Sequence, residues 1–125
     1  MSERLRAVVE RLNLQPNDRV LEIGCGHGVA ATLVCQQLQG GHLTAIDRSS
    51  RMIEAAKRRN AVHIEAGKAE FFVMNLEEMD LGEHRFDKVF AARVGLIHRE
   101  PERARSFVEE WLAPDGEIFA FYDSP

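Results

Sequence analysis

The sequence predicts a doubly wound α/β fold: a parallel sheet of about five strands in the order 3-2-1-4-5, with helices on both faces. Three observations predict it. Val20-Leu21-Glu22-Ile23 reads as a buried strand that runs into Gly24-Cys25-Gly26-His27-Gly28 and then into an amphipathic stretch from Val29 to Leu38, a strand, glycine turn and helix in succession. Further short apolar runs alternate with helical patterns, which implies parallel pairing through right-handed crossovers. The second apolar run, His42 to Ile46, ends in Asp47, about twenty residues past the glycines, where an acid at a strand end can accept hydrogen bonds from both ribose hydroxyls.

Each element has its own local reason. Ser2 can cap a first helix in which Leu5, Val8, Val9 and Leu12 recur at helical spacing, and Pro16-Asn17-Asp18 turns the chain into strand one. The helix after the glycines buries Ala30, Val34 and Leu38 in an i, i+4, i+8 row and stops at Gly40-Gly41. A third helix opens near Ser50, turns Met52, Ile53 and Ala56 inward, and ends by Gly67. Strand three spans Glu70 to Met74, the polar link from Asn75 to Arg85 is too short for a full helix, and strand four spans Lys88 to Ala92. Pro101 has no N–H to lose at the start of the next helix, whose apolar stripe of Ala104, Phe107, Val108, Trp111 and Leu112 reads as core. Strand five spans Glu117 to Tyr122. At 125 residues the chain is expected to form one domain, residues 1–125.

The strand order reverses beside strand one, which opens a crevice at the carboxyl ends of strands one and four. The glycine loop, Asp47, Asn75 and Ala91-Ala92-Arg93 converge there. Glycine allows a ligand to lie against the backbone, and open N–H groups at a helix start favour electron-rich ligand atoms. Taken alone, these glycines also suit a tight connection without a ligand; Asp47 tips the reading toward a nucleotide-type site. In the dinucleotide pattern G-x-G-x-x-G the third glycine or alanine would fall at Val29, whereas here it is Gly28. That spacing disfavours NAD and FAD.

Composition sets further bounds. A net charge of −4 gives no electrostatic case for nucleic acid as a general partner. Lys57-Arg58-Arg59, on a predicted helix, reads as a solvated face. Cys25 and Cys35 form neither a disulfide framework nor a metal spacing, so no metal and a reducing, cytoplasmic setting are expected. No apolar stretch approaches a membrane span, and Met1-Ser2-Glu3-Arg4 lacks a signal-peptide core.

The chain resembles the class I S-adenosylmethionine-dependent methyltransferases, whose first motif, apolar-apolar-(Asp/Glu)-x-Gly-x-Gly-x-Gly, is matched from Val20 to Gly28. Ala45-Ile46-Asp47-Arg48-Ser49 resembles the ribose-binding strand end of that family, and Ala69 to Asn75 its third strand. Phe86-Asp87-Lys88-Val89-Phe90-Ala91 resembles the fourth strand, and Trp111-Leu112-Ala113-Pro114-Asp115-Gly116-Glu117 the lead into the fifth. The resemblance implies a Rossmann-like fold, S-adenosyl-L-methionine as cofactor, and a small-molecule methyl acceptor. It places Gly24, Cys25 and Gly26 against the methionyl part and ribose, Asp47 on the ribose hydroxyls, and Arg48 beside the adenine. It brings Asn75, Leu76 and Ala91 to the same cofactor site. The family usually has an aspartate where Asn75 stands, which weakens the transfer of that role, and Asn75 is also a good turn-former. Glu22, charged inside an apolar strand, needs a partner: backbone N–H groups of the loop, or the cofactor's ammonium.

The acceptor side is less legible. Amino methyltransferases acting on bases or protein amides carry an Asp/Asn-Pro-Pro-aromatic motif after strand four, but this sequence has Ala91-Ala92-Arg93-Val94-Gly95 at that place. Candidates at the carboxyl edge are His27, Arg93, His98, Tyr122 and Asp123. Arg93 either anchors an acidic or phosphate-bearing acceptor or makes a surface ion pair, and His98 is an acceptor contact or a solvated loop residue. Asp87 begins strand four and belongs to the wrong end of the sheet. The family fold continues past strand five with a helix and two further strands, whereas this sequence stops at Asp123-Ser124-Pro125. Strand five with Phe119, Phe121 and Tyr122 is then an edge, and a homodimer or complex through it is expected. Three readings remain: a small-molecule methyltransferase first, a non-catalytic cofactor-binding or partner-binding module second, a dinucleotide oxidoreductase third.

Overall fold

A computed structural model of the chain describes residues 3–92 and 99–121. Strands β1 (Arg19–Ile23), β2 (His42–Asp47), β3 (Ala69–Val73), β4 (Phe86–Ala92) and β5 (Leu112–Phe121) pair in the order β3-β2-β1-β4-β5, every pairing parallel. The expected topology is the observed one. Helices α1 (Glu3–Arg11), α2 (Val29–Gln37), α3 (Ser50–Arg59), α4 (Ala61–Glu65) and α5 (Pro101–Val108) connect them, with 3₁₀ turns at Leu76–Glu78 and Glu109–Trp111.

Side chains alternate across each strand, so the sheet splits its apolar residues between two cores. On one face Val20, Leu43, Ala45, Phe71 and Phe90 pack with Val8 and Val9 of α1, Leu12 just past its end, Ala30 and Val34 of α2, and Ile53 and Ala56 of α3. On the other, Leu21, Ile23, Ile46, Val89 and Ala91 pack with Ala104 and Val108 of α5, Trp111, and the linker residues Leu76, Met79 and Leu81. The same alternation turns Glu22 toward the face of Val20.

Local structure departs from expectation where a side chain competes with the backbone. The third helix breaks at Asn60, whose buried amide donates to Ala56 O at 3.1 Å, so α3 ends at Arg59 and α4 is a separate short helix. The apolar stripe after Pro101 is split: α5 ends at Val108, Trp111 closes a 3₁₀ turn, and Leu112 already pairs with Phe86 in β5. The register then jumps to Lys88↔Glu117, so β5 accommodates Ala113 to Gly116 as an irregularity, with Asp115 at φ 66°. Phe121 is buried, with the Arg11 guanidinium 5.3 Å from its ring centre, and Phe119 packs partly against the first core. Of the expected aromatic edge, Phe121 is thus buried beneath Arg11 of α1, while Phe119 is only partly buried. Ser2 and Tyr122 lie outside the described residues.

At the amino ends of the strands Lys88 is buried, its Nζ 3.3 Å from Asp18 Oδ2 and from Asn13 O. Asp18 Oδ2 also accepts from Gln15 N at 2.9 Å. The pair fastens the turn before β1 to β4. Lys88→Met leaves the Asp18 charge without its cation, and loss of about 2 kcal/mol of stability is expected. Urea unfolding measures it; an unchanged midpoint would mean the pair is energetically idle. Asp87, partly exposed at this same end, accepts from Arg19 N and Nη2 at 2.8 and 3.2 Å. Partial burial opposes its ionisation, but these bonds and the Arg19 charge prevail and hold its carboxyl below the ordinary range. It is remote from the carboxyl-end crevice, as its sequence position implied.

Candidate functional site

The chain turns from β1 into α2 through Gly24 to Gly28, at the carboxyl end of the sheet where Ile23 pairs with Ile46 on one side and Ala91 on the other. The turn is closed by its own neighbours. Gly24 N and Cys25 N both donate to Ile46 O, at 2.8 and 3.0 Å, and Gly26 N donates to Asp47 Oδ2 at 2.9 Å. The N–H groups of these three residues are thus engaged within the protein. What the loop offers instead is glycine surface: a Cβ added at Gly26 would meet no atom within 4 Å.

Gly28 answers to packing rather than to a ligand. Its φ is +88°, and a Cβ there would stand 2.7 Å from Asn60 Nδ2 and 3.0 Å from Ala56 Cβ. Asn60, fully buried, donates to Gly28 O at 3.1 Å and accepts from Thr32 Oγ1 at 2.8 Å. It thereby locks the loop to α3. Gly28→Ala combines left-handed strain with that clash, so a loss of about 2 kcal/mol is expected. Calorimetric unfolding checks it, and a Tm unchanged from the parent would refute the packing role.

Asp47, half-buried, uses both carboxylate oxygens: Oδ2 holds Gly26 N, and Oδ1 accepts from Ser49 N at 2.9 Å. Ser49 in turn caps α3 by accepting from Met52 N at 3.2 Å. One acid thus aligns the glycine loop, its own strand end and the next helix. Each oxygen keeps a second lone pair for a hydroxyl donor.

Glu22 lies at the floor of a cleft of about 320 Å³ lined also by Arg4, Leu5, Gly24, Cys25, Gly26, His27 and Ala92. The residue is 3% exposed, and its Oε1 has no hydrogen-bond partner among the described residues. Of the loop N–H groups expected as its partners, those of Gly24, Cys25 and Gly26 are spent on Ile46 O and Asp47 Oδ2. Burial first, and the Asp47 carboxylate second, push the Glu22 pKa up to about 8. Burial and the same carboxylates raise the Cys25 thiol beyond its ordinary range, so it is an inert lining group.

The other anticipated residues are less directly placed. Arg48 is exposed on the turn after β2. Asn75 caps the 3₁₀ turn, its Oδ1 accepting from Glu78 N at 2.9 Å and its Nδ2 donating to Glu78 Oε1 at 2.7 Å. Leu76 is buried in the second core. Ala91 is buried in β4 and its neighbour Ala92 reaches the cleft. Arg93, His98 and Asp123 lie outside the described residues. Asn60 and Thr32 are functional to the loop without any motif to announce them, although an asparagine inside a helical pattern is a signal. Arg59 belongs by sequence to a solvated basic face, yet it donates to His27 O at 3.2 Å and lies 3.3 Å from His27 Nδ1. It braces the loop from outside.

The methyltransferase domain family matches residues 20–116. YrhH of Bacillus subtilis, a protein classed by name with the methyltransferases, is 32% identical over 117 residues, covering 94% of this chain and 64% of its own length. Among solved structures, coclaurine N-methyltransferase bound to N-methylheliamine and SAH superposes with a TM-score of 0.80 at 21% identity, covering 94% of this chain and 34% of that one. At that identity the likeness speaks for the fold alone. The [4+2]-cyclase SpnF superposes with a TM-score of 0.77 at 26% identity, over 92% of this chain and 42% of that one. The chain spans between 23% and 64% of the length of the curated relatives it matches.

Proposed function

Because this chain belongs to the class I S-adenosylmethionine-dependent methyltransferase family, we propose that it binds S-adenosyl-L-methionine in the Glu22–Asp47 cleft and serves methyl transfer to a small-molecule acceptor. The observation that carries this is the orphaned Oε1 of Glu22 at the floor of a glycine-walled cleft beside Asp47. A buried acceptor without a donor suits a ligand bearing an ammonium group, and the remaining lone pairs on Asp47 suit a ribose. The residues fit the cofactor.

When bound, the cofactor supplies a methyl group on sulfonium that an acceptor takes by in-line displacement. The protein's own part is alignment and exclusion of water. Glu22 takes the ammonium and Asp47 the ribose hydroxyls while keeping Gly26 in place. Gly24, Cys25 and Gly26 give backbone surface to the methionyl part. Arg48 and Asn75 flank the adenine, Asn75 through whatever capacity its capping bond leaves, with Leu76 and Ala91 contributing backbone. Arg93 and His98 are kept as acceptor contacts, since both follow β4 in the sequence.

A relative named phosphoethanolamine N-methyltransferase 1, from Zea mays, 31% identical over 118 residues, supports a small molecule as acceptor. A second reading, a module that holds the cofactor without transferring methyl, is favoured by the likeness to a protein named as a [4+2]-cyclase. Residues 1–125 act as one domain in this proposal. β5 lies at the sheet edge among the described residues, and that position supports a dimer or complex there; a monomeric mass by light scattering at micromolar concentration would overturn that part. Two buried free cysteines support a reducing, cytoplasmic setting. Among the described residues no helix is long and apolar enough to cross a membrane.

Titration calorimetry with S-adenosylhomocysteine, with NAD as control, tests the cofactor assignment. Micromolar binding of the first and none of the second is expected; binding of neither would overturn it. Transfer of a labelled methyl group across a panel of small amines, phenols and carboxylates then separates the two readings.

A further inference from the structure

Glu22 carries chemistry that cofactor alignment alone does not use. The alternation of β1 aims it into the cleft, 3% exposed, with Oε1 unpartnered among the described residues. Titratable and charged groups face it from four sides, Asp47 from β2, Cys25 and His27 from the glycine loop, Cys35 from α2, and Arg4 from α1, while β4 sets the apolar Phe90 opposite it. Asp47 is held by Gly26 N and Ser49 N, so this like charge stands in a fixed place beside Glu22. Both thiols are buried and raised, Cys35 to about 12, and remain neutral.

We propose that ligand binding in this cleft is proton-linked through Glu22, which holds a proton until an ammonium group reaches its Oε1 and releases that proton to solvent as the ion pair forms. The inference rests on the cofactor reading of the same cleft. Burial and Asp47 favour the neutral acid, up to about pH 8. An arriving ammonium reverses both influences: it gives Oε1 a donor and places a cation beside two carboxylates. A ligand with the adenosine part but no ammonium cannot reverse them, and leaves the proton where it is. The site therefore distinguishes S-adenosylhomocysteine from 5′-methylthioadenosine by a proton exchange as well as by a contact.

Calorimetry of the intact chain with each ligand, at pH 7 in phosphate and in Tris, counts the protons released. About one proton per S-adenosylhomocysteine is expected, none per 5′-methylthioadenosine, and the affinity of the first should rise about tenfold per pH unit between about pH 6 and 7.5 while the second stays flat. Glu22→Gln should abolish the release and flatten the profile of S-adenosylhomocysteine. Infrared difference spectra of the unmutated protein provide a readout independent of that variant: the protonated-carboxyl band should disappear on binding of S-adenosylhomocysteine only. Binding of S-adenosylhomocysteine with no proton release, or release that persists in Glu22→Gln, would overturn the inference and leave the cofactor assignment standing. Binding of neither ligand would overturn both.

Discussion

Asp47→Ala is expected to weaken S-adenosylhomocysteine binding by at least about 100-fold. Two losses combine. A charged acceptor to the ribose hydroxyls is worth about 3 kcal/mol, or two decades in Kd. The variant also frees Gly26 N and Ser49 N, whose 2.9 Å bonds to the two carboxylate oxygens set the loop against the start of α3. A loop that must be ordered on binding adds its own entropic cost. Asp47→Asn separates the contributions: its carbonyl oxygen can still serve Ser49 N, but its amide turns a donor toward the Gly26 donor. Titration of both variants should rank alanine and asparagine close together and far below the parent. An Asp47→Ala affinity close to that of the parent would remove Asp47 from the site.

Glu22→Gln should make the chain more stable as it becomes a poorer binder. The folded protein holds the Glu22 proton up to about pH 8, whereas an ordinary glutamate gives it up near 4.5. Between those values the folded state binds a proton that the unfolded state has lost, so raising the pH through this window costs stability. Below it both states are protonated and nothing is lost; above it the penalty is complete, roughly 5 kcal/mol for a fully buried group. Glutamine has no such titration. Its buried amide brings a pH-independent cost of its own, so the informative quantity is the change with pH. Scanning calorimetry should give a Tm advantage for the variant that grows by about 10 °C from about pH 5 to 8. An equal difference at both pH values would mean that Glu22 is not the buried acid described here. Stability sacrificed at a ligand site is a common trade.

Much of the fold was legible because local rules and the global arrangement agree. Val20 to Ile23, the glycines and the row of Ala30, Val34 and Leu38 each follow from side-chain period and turn chemistry, and alternation of element types leads to the parallel order that the sheet adopts. Boundaries failed where a single side chain overruled its neighbours. Asn60 breaks a helix that its periodicity would have continued, and Ala113 to Gly116 bulge from a strand that the sequence pattern starts only at Glu117.

The sequence by itself determined the positions of the glycines, the acid at the end of β2 and the side of the sheet on which they meet, since these depend on spacing along one strand or one turn. Tertiary structure alone decided what each residue is for. Gly28 is spent on Asn60, far along the chain, Arg59 on His27, and the loop N–H groups on Ile46 and Asp47. Glu22 is left, among the described residues, as the buried acceptor without a donor. Hydrogen-bond satisfaction is a competition among groups brought together only by the folded chain, and no local pattern records which acceptor loses it.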